Sequence, residues 1–131
     1  MKILIAEDDL ASRKYLDKIL SQYGECDLTV NGMEAVEAFL MAWDMGTPYD
    51  LICLDIMMPK VDGIRALQAI RDLEKQKGVA EADQTKIIMI TALHDTEYVR
   101  NSFQKGCEAY AAKPVNTEKL IEVMRQLGLQ V

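Results

Sequence analysis

Only three cysteines, three prolines, one histidine and one tryptophan occur in these 131 residues. Cys26, Cys53 and Cys107 are odd in number and share no CxxC spacing, so they read as reduced, partly buried thiols of a cytoplasmic protein. No apolar run approaches the roughly 20 residues that span a bilayer. Met1-Lys2 passes directly into Ile3-Leu4-Ile5, without the longer apolar region of a secretory signal. A soluble protein with no membrane contact is expected. Positive charge is also short: 15 Lys and Arg against 21 Asp and Glu leave a formal net charge of −6. Neutralising phosphates needs clustered cations, so direct nucleic-acid binding is disfavoured and a protein partner favoured. The absence of GxxxxGK[ST] removes nucleotide binding through a P-loop. Glycine-rich linkers, low-complexity tracts and internal repeats are missing too, and the chain reads as one domain over residues 1–131.

What is present is a regular alternation. Ile3 to Ala6 reads as a strand that ends in Glu7-Asp8-Asp9, and Leu16, Ile19, Leu20 and Tyr23 then recur at helical spacing until Gly24. Asp9 suits the start of that helix better than a ligand role. Cys26 to Val30 is a weaker second strand, and Ala35, Val36, Phe39 and Leu40 form the apolar stripe of a second helix ending before Gly46. Leu51 to Leu54 make a buried strand that delivers Asp55 at its end, ahead of a loop constrained by Pro59 and Gly63. A third helix runs from Asp62 to about Lys77, Gly78 to Thr85 is an acidic loop, and Lys86 to Thr91 is a fourth strand. The fourth helix spans about Asp95 to Lys105 and stops at Gly106. Ala109 to Ala112 is the fifth strand, followed by Lys113-Pro114, and Asn116 caps a last helix bearing Leu120, Ile121, Met124 and Leu127. The eight methionines are read as adaptable core filler, and His94 as exposed loop.

Five strand and helix alternations specify an α/β fold, a parallel sheet covered by helices on both faces. In the doubly wound (βα)5 arrangement with strand order 2-1-3-4-5, the flavodoxin-like one, the carboxyl ends of the first and third strands meet at the switch point. Glu7, Asp8 and Asp55 would converge there, with Thr91 and Lys113 across from them. Crowded carboxylates repel, and a bound cation keeps them ionised. Oxygen ligands favour a hard ion that retains part of its water shell, which fits Mg²⁺. A metal, an ammonium and a hydroxyl around one carboxylate are the parts that phosphoryl transfer needs, with Asp55 as nucleophile forming an acyl phosphate.

These motifs, ILIAEDD, LDIMMPKVDG, MITA and AYAAKP, fall in order at successive strand ends, and the chain resembles the receiver domains of two-component response regulators over essentially all its length. The resemblance implies that Asp55 is the phosphoacceptor and that Asp8 ligates Mg²⁺ directly, Glu7 through water, with the Met57 carbonyl completing the protein ligands. It implies that Lys113 contacts the phosphoryl group, that the bond to Pro114 is cis, and that the Ala92 amide meets a phosphoryl oxygen. Thr91 corresponds to the switch hydroxyl and Tyr110 to the aromatic switch residue. It further implies a phosphohistidine donor, a sensor histidine kinase or histidine phosphotransfer protein docking near the first helix. Output would pass to a downstream protein target from a monomer or a phosphorylation-dependent dimer, with no enzymatic activity beyond self-phosphorylation and slow self-dephosphorylation.

Slow dephosphorylation is expected because Met57 and Leu93 stand where fast-hydrolysing family members tend to carry polar groups, and neither can position water. Two other classes fit less well. A haloacid-dehalogenase-like phosphatase wants a second acid where Met57 stands, and its substrate cap is missing. In an FMN carrier, a phosphate loop would have to lie where the acids crowd.

Overall fold

The computed structural model describes residues 1–92 and 96–131, apart from the side chains of Thr96 and Tyr98. Its strands are β1 (Lys2–Ala6), β2 (Glu25–Thr29), β3 (Leu51–Asp55), β4 (Lys86–Thr91) and β5 (Ala109–Ala112). They form one parallel sheet in the order β2-β1-β3-β4-β5. Between and after them run α1 (Leu10–Leu20), α2 (Gly32–Asp44), α3 (Gly63–Gln76), α4 (Thr96–Lys105) and α5 (Thr117–Gln126).

The period-two alternation of strand side chains divides the core in two. Ile3, Ile5, Leu51, Cys53, Ile88 and Ile90 face Leu16, Ile19 and Leu20 of α1 and Leu120 and Met124 of α5. Their neighbours Leu4, Ala6, Ile52, Leu54, Ile87 and Met89 face Phe39 of α2 and Leu67 and Ile70 of α3. Because β3 is buried on both faces, its sequence is continuously apolar rather than alternating. Among the described residues, four helices begin at a side-chain cap: Asp9, Asn31, Asp62 and Asn116 accept from the backbone N–H groups of Ser12, Glu34, Arg65 and Lys119. Each such cap is worth about 1 kcal/mol.

Several expectations need correction. α1 ends at Leu20, where the Ser21 N–H closes on the Asp17 carbonyl, and Gly24 serves a different purpose. A Cβ there would stand 2.2 Å from the Met1 carbonyl oxygen, so glycine lets the chain enter β2. Val30 lies past the end of β2, and Leu127 caps α5 rather than extending it. The Gly78 to Thr85 loop contains a 3-10 turn, Glu81–Asp83. Met58, Met89 and Met124 are core residues, but Met33, Met41, Met45 and Met57 are exposed, because they fall on the outer faces of α2 and the loop after β3. The start of the fourth helix at Asp95, Leu93 and His94 lie outside the described residues.

Candidate phosphoacceptor site

The carboxyl end of β1 and that of β3 are adjacent because crossovers leave the sheet in opposite directions from this point. Glu7 and Asp8 follow β1 and Asp55 ends β3. Glu7 is fully buried and Asp55 nearly so, whereas Asp8 is exposed. One oxygen from each of the three lies within 4.8 Å of the others. Arg13 of α1 steadies this loop by donating to the Glu7 carbonyl at 2.9 Å.

Lys113 closes the site. Its Nζ donates to Glu7 Oε1 at 2.7 Å and to Asp55 Oδ2 at 3.1 Å. Its own backbone N–H donates to the Thr91 carbonyl at 2.7 Å, which fixes the loop after β5 against the end of β4. The Lys113-Pro114 bond is cis. Lys113, read as a phosphoryl contact, thus bridges the two buried carboxylates directly. Burial pulls its pKa down, but the hydrogen bond to Glu7 and the Asp55 charge outweigh this and leave it raised. Burial, and then the hydrogen bond and charge of Asp55, push Glu7 up to about 7, against the lowering effect of Lys113. Glu7 Oε2 is buried without a hydrogen-bond partner.

An orphaned carboxylate oxygen beside two others, all hard oxygen donors, fits a divalent cation of the Mg²⁺ type. Asp55 Oδ1 accepts the Met57 N–H at 3.2 Å, so the loop after β3 curls over the carboxylate. That curl depends on Lys60, whose φ of 67° is left-handed, a turn position not legible beside Pro59. It also depends on Gly63, where a Cβ would stand 2.1 Å from the Asp55 carbonyl oxygen. The Met57 side chain projects outward with 53% exposure. Beside it, Asp8, Met57, Pro59 and Asp62 line an open depression of about 550 Å³.

Thr91 is buried at the end of β4, and Ala92 follows it, exposed. Tyr110 lies on β5 away from the carboxylates, 46% exposed, with its ring edge-on to Phe103 at 6.1 Å. The fold thus brings Glu7, Asp8 and Asp55 together with Lys113 against Glu7 and Asp55, while Tyr110 stands apart on the surface.

The family model for the response regulator receiver domain matches residues 3–125. The chain belongs to the response regulator receiver domains. Among curated relatives, this receiver is 31% identical over 123 residues to the chemotaxis protein CheY of Treponema pallidum, covering 92% of the chain and 78% of the relative. It is 30% identical to the sensory/regulatory protein RpfC of Xanthomonas campestris, covering 98% of the chain but only 17% of that longer protein. Among solved structures, CheY in the CheX-CheY-BeF3-Mg²⁺ complex of Borrelia burgdorferi superposes with a TM-score of 0.84 at 26% identity, covering 99% of this chain and 90% of that one. A co-crystal of the Saccharomyces cerevisiae phosphotransfer protein Ypd1 with the Ssk1 receiver domain matches at 0.82 and 29% identity, covering 100% and 92%. Receiver domains are signalling regulators of two-component and phosphorelay systems, and this one has their fold. No helix among the described residues is long and apolar enough to cross a membrane.

Proposed function

We propose that residues 1–131 act as one cytoplasmic receiver whose Asp55 accepts a phosphoryl group from the phosphohistidine of a kinase or phosphotransfer protein. The observation that carries this is the Lys113 ammonium spanning Glu7 and Asp55 at the switch point, a site with both a nucleophile and a cation to receive negative charge. An Asp55 carboxylate oxygen attacks phosphorus, the P–N bond to histidine breaks, and the imidazole leaves with its electron pair. The Met57 N–H, already on Asp55 Oδ1, orients the carboxylate for that attack. Lys113 exchanges its contact with Asp55 for a phosphoryl oxygen, and the Thr91 hydroxyl and Ala92 amide take others. Glu7, Asp8, Asp55 and the Met57 carbonyl would hold Mg²⁺, which when bound supplies charge neutralisation to the carboxylates and the transferred group.

Phosphorylation adds charge and acceptor oxygens at the end of β3, beside the end of β4. Thr91 moves toward them, and Tyr110, now outward against Phe103, follows into the vacated space. The surface of α4, β5 and α5 changes as a result and is read by a downstream protein or a second receiver. The partnership of Ssk1 with Ypd1 supports a phosphotransfer donor, and the CheY complex with BeF3 and Mg²⁺ supports the metal.

Intact mass after incubation with acetyl phosphate tests this. A gain of one phosphoryl group that requires Mg²⁺ and is lost in Asp55→Asn is the expected result. No gain in the wild-type chain would refute the phosphoacceptor reading and leave a scaffold of the same fold.

A further inference from the structure

Between the end of β1 and the start of α1 the chain runs through consecutive acids, Glu7, Asp8 and Asp9. The backbone carbonyls of all of them accept from one residue, Arg13. Its guanidinium Nη1 donates to the Glu7 carbonyl at 2.9 Å and, in a longer and weaker bond, to the Asp8 carbonyl at 3.4 Å. Its backbone N–H donates to the Asp9 carbonyl at 2.9 Å. The same turn is anchored at both ends: the Glu7 N–H donates to the Thr29 carbonyl of β2 at 3.1 Å, and Asp9 Oδ2 accepts the Ser12 N–H of α1 at 2.9 Å. The Arg13 side chain holds the stretch between those anchors.

The carboxylates of the site differ in what holds them. Glu7 and Asp55 are buried and bonded directly, both to Lys113 and Asp55 also to the Met57 N–H. The Asp8 carboxylate is exposed, and among the described residues no hydrogen bond or ion pair reaches it, although one of its oxygens lies within 4.8 Å of those of the other two. Such a carboxylate is placed by its own backbone. The more firmly that backbone is fixed, the less conformational freedom is lost when the carboxylate binds a cation. Two effects of the Arg13 guanidinium on that cation oppose one another. As a charge it repels a divalent ion, an effect that salt screens. As a charge-assisted donor it fixes the Glu7 and Asp8 carbonyls and favours binding. The guanidinium lies against the main chain of consecutive acids, whose negative charge offsets its own, so the second effect is the larger.

We infer that Arg13 is a positioning residue for Mg²⁺, holding the main chain of Glu7 and Asp8 so that the Asp8 carboxylate stands ready to ligate; this rests on the Mg²⁺-dependent phosphoacceptor reading above. Arg13 acts through the two carbonyls and is itself no ligand, since a guanidinium has no lone pair to offer a metal.

Calorimetric titration of Mg²⁺ into the intact, unphosphorylated chain tests this without any phosphotransfer. Arg13→Met keeps an unbranched stem but no donor, and is expected to weaken Mg²⁺ binding about tenfold. Lys14→Met removes the same charge from the next, exposed position of α1 and is expected to alter the affinity less than about twofold. The deficit of Arg13→Met should persist at about 0.5 M NaCl, because the fixing of a peptide group is not screened. Arg13→Lys keeps the charge and a donor for the Glu7 carbonyl, and should bind more tightly than Arg13→Met. Thermal melts without Mg²⁺ establish that each variant is folded at the temperature of titration. Equal or tighter binding by Arg13→Met would overturn the inference, since the guanidinium would then be a repelling charge or a support for the fold alone. An equal loss in Lys14→Met, or Arg13→Lys no tighter than Arg13→Met, would overturn it too. A wild-type chain that takes up no Mg²⁺ would instead overturn the metal reading, and the inference with it.

Discussion

Replacing Arg71 by methionine is expected to destabilise the domain severely while leaving the carboxylate site untouched. Arg71 lies on α3 with its side chain one-tenth exposed, at the amino-terminal edge of the sheet, opposite Asp55. Its guanidinium donates to Glu74 Oε1 at 2.6 Å, to both oxygens of Glu108 at 2.7 and 2.8 Å, and to the Gly106 and Thr85 carbonyls at 2.9 Å each. Glu74 is buried and also accepts the Thr85 N–H at 2.8 Å, while Glu108 accepts the Ile87 N–H at 2.6 Å. One cation thus holds two carboxylates and two carbonyls from α3, β4 and the approach to β5. Methionine fills similar volume but leaves both acids without their cation. Removing one partner of a buried ion pair costs about 3–5 kcal/mol. Against a total of about 5–15 kcal/mol, that removes a large share of the stability. At about 3–5 °C per kcal/mol for a chain of this size, the melting temperature falls by roughly 10–20 °C.

The assay is urea denaturation at pH 5, 7 and 8. Burial already raises the Glu108 pKa, against the lowering effects of the Ile87 N–H and Arg71, so losing Arg71 raises it further. An acid raised in the folded state contributes its stability below its unfolded pKa and loses it as pH rises, so the deficit of the variant should grow from pH 5 to pH 8. Adding Glu74→Gln and Glu108→Gln should recover much of the loss, since the uncompensated charge is then gone. A deficit below about 1 kcal/mol, or one independent of pH, would refute the assignment of this cluster as an energetic unit.

Three further outcomes follow from the site. Gly63→Ala should cost about 1–3 kcal/mol by forcing the Asp55 carbonyl aside, with slower phosphorylation; a variant matching wild type in both urea midpoint and acetyl phosphate rate would contradict that contact. Without Mg²⁺, stability should decline as pH rises through Glu7's value of about 7, because its raised pKa disfavours the ionised form in the fold. Saturating Mg²⁺ should flatten this decline, as read by melting temperature across pH 5.5 to 8.5. The acyl phosphate should outlast several minutes by intact mass, and Met57→Gln, which can orient water, should shorten its lifetime at least tenfold; decay within seconds in the wild type would contradict the role given to the exposed Met57 side chain.

The succession of strands and helices, the continuous apolar run of β3 and the positions of Asp9, Asn31, Asp62 and Asn116 as caps were determined by the sequence itself. They rest on local periods and short-range hydrogen bonds, which neighbours in the chain dictate. The convergence of Glu7, Asp8 and Asp55 was legible for a different reason, since few topologies satisfy four right-handed crossovers. Contacts between residues distant in the chain were not. The Arg71 cluster joins positions up to 37 residues apart, and Glu74 alone looks like an exposed helix acid until its packing is known. Gly24 and Gly63 looked like a helix stop and a loop residue, but close approach of a backbone carbonyl, that of Met1 and that of Asp55, decides both. The surface methionines of α2 likewise required the fold. Hydrophobic composition counts a methionine alike on either face of a helix, and only the direction of α2 against the sheet sends Met41 and Met45 outward.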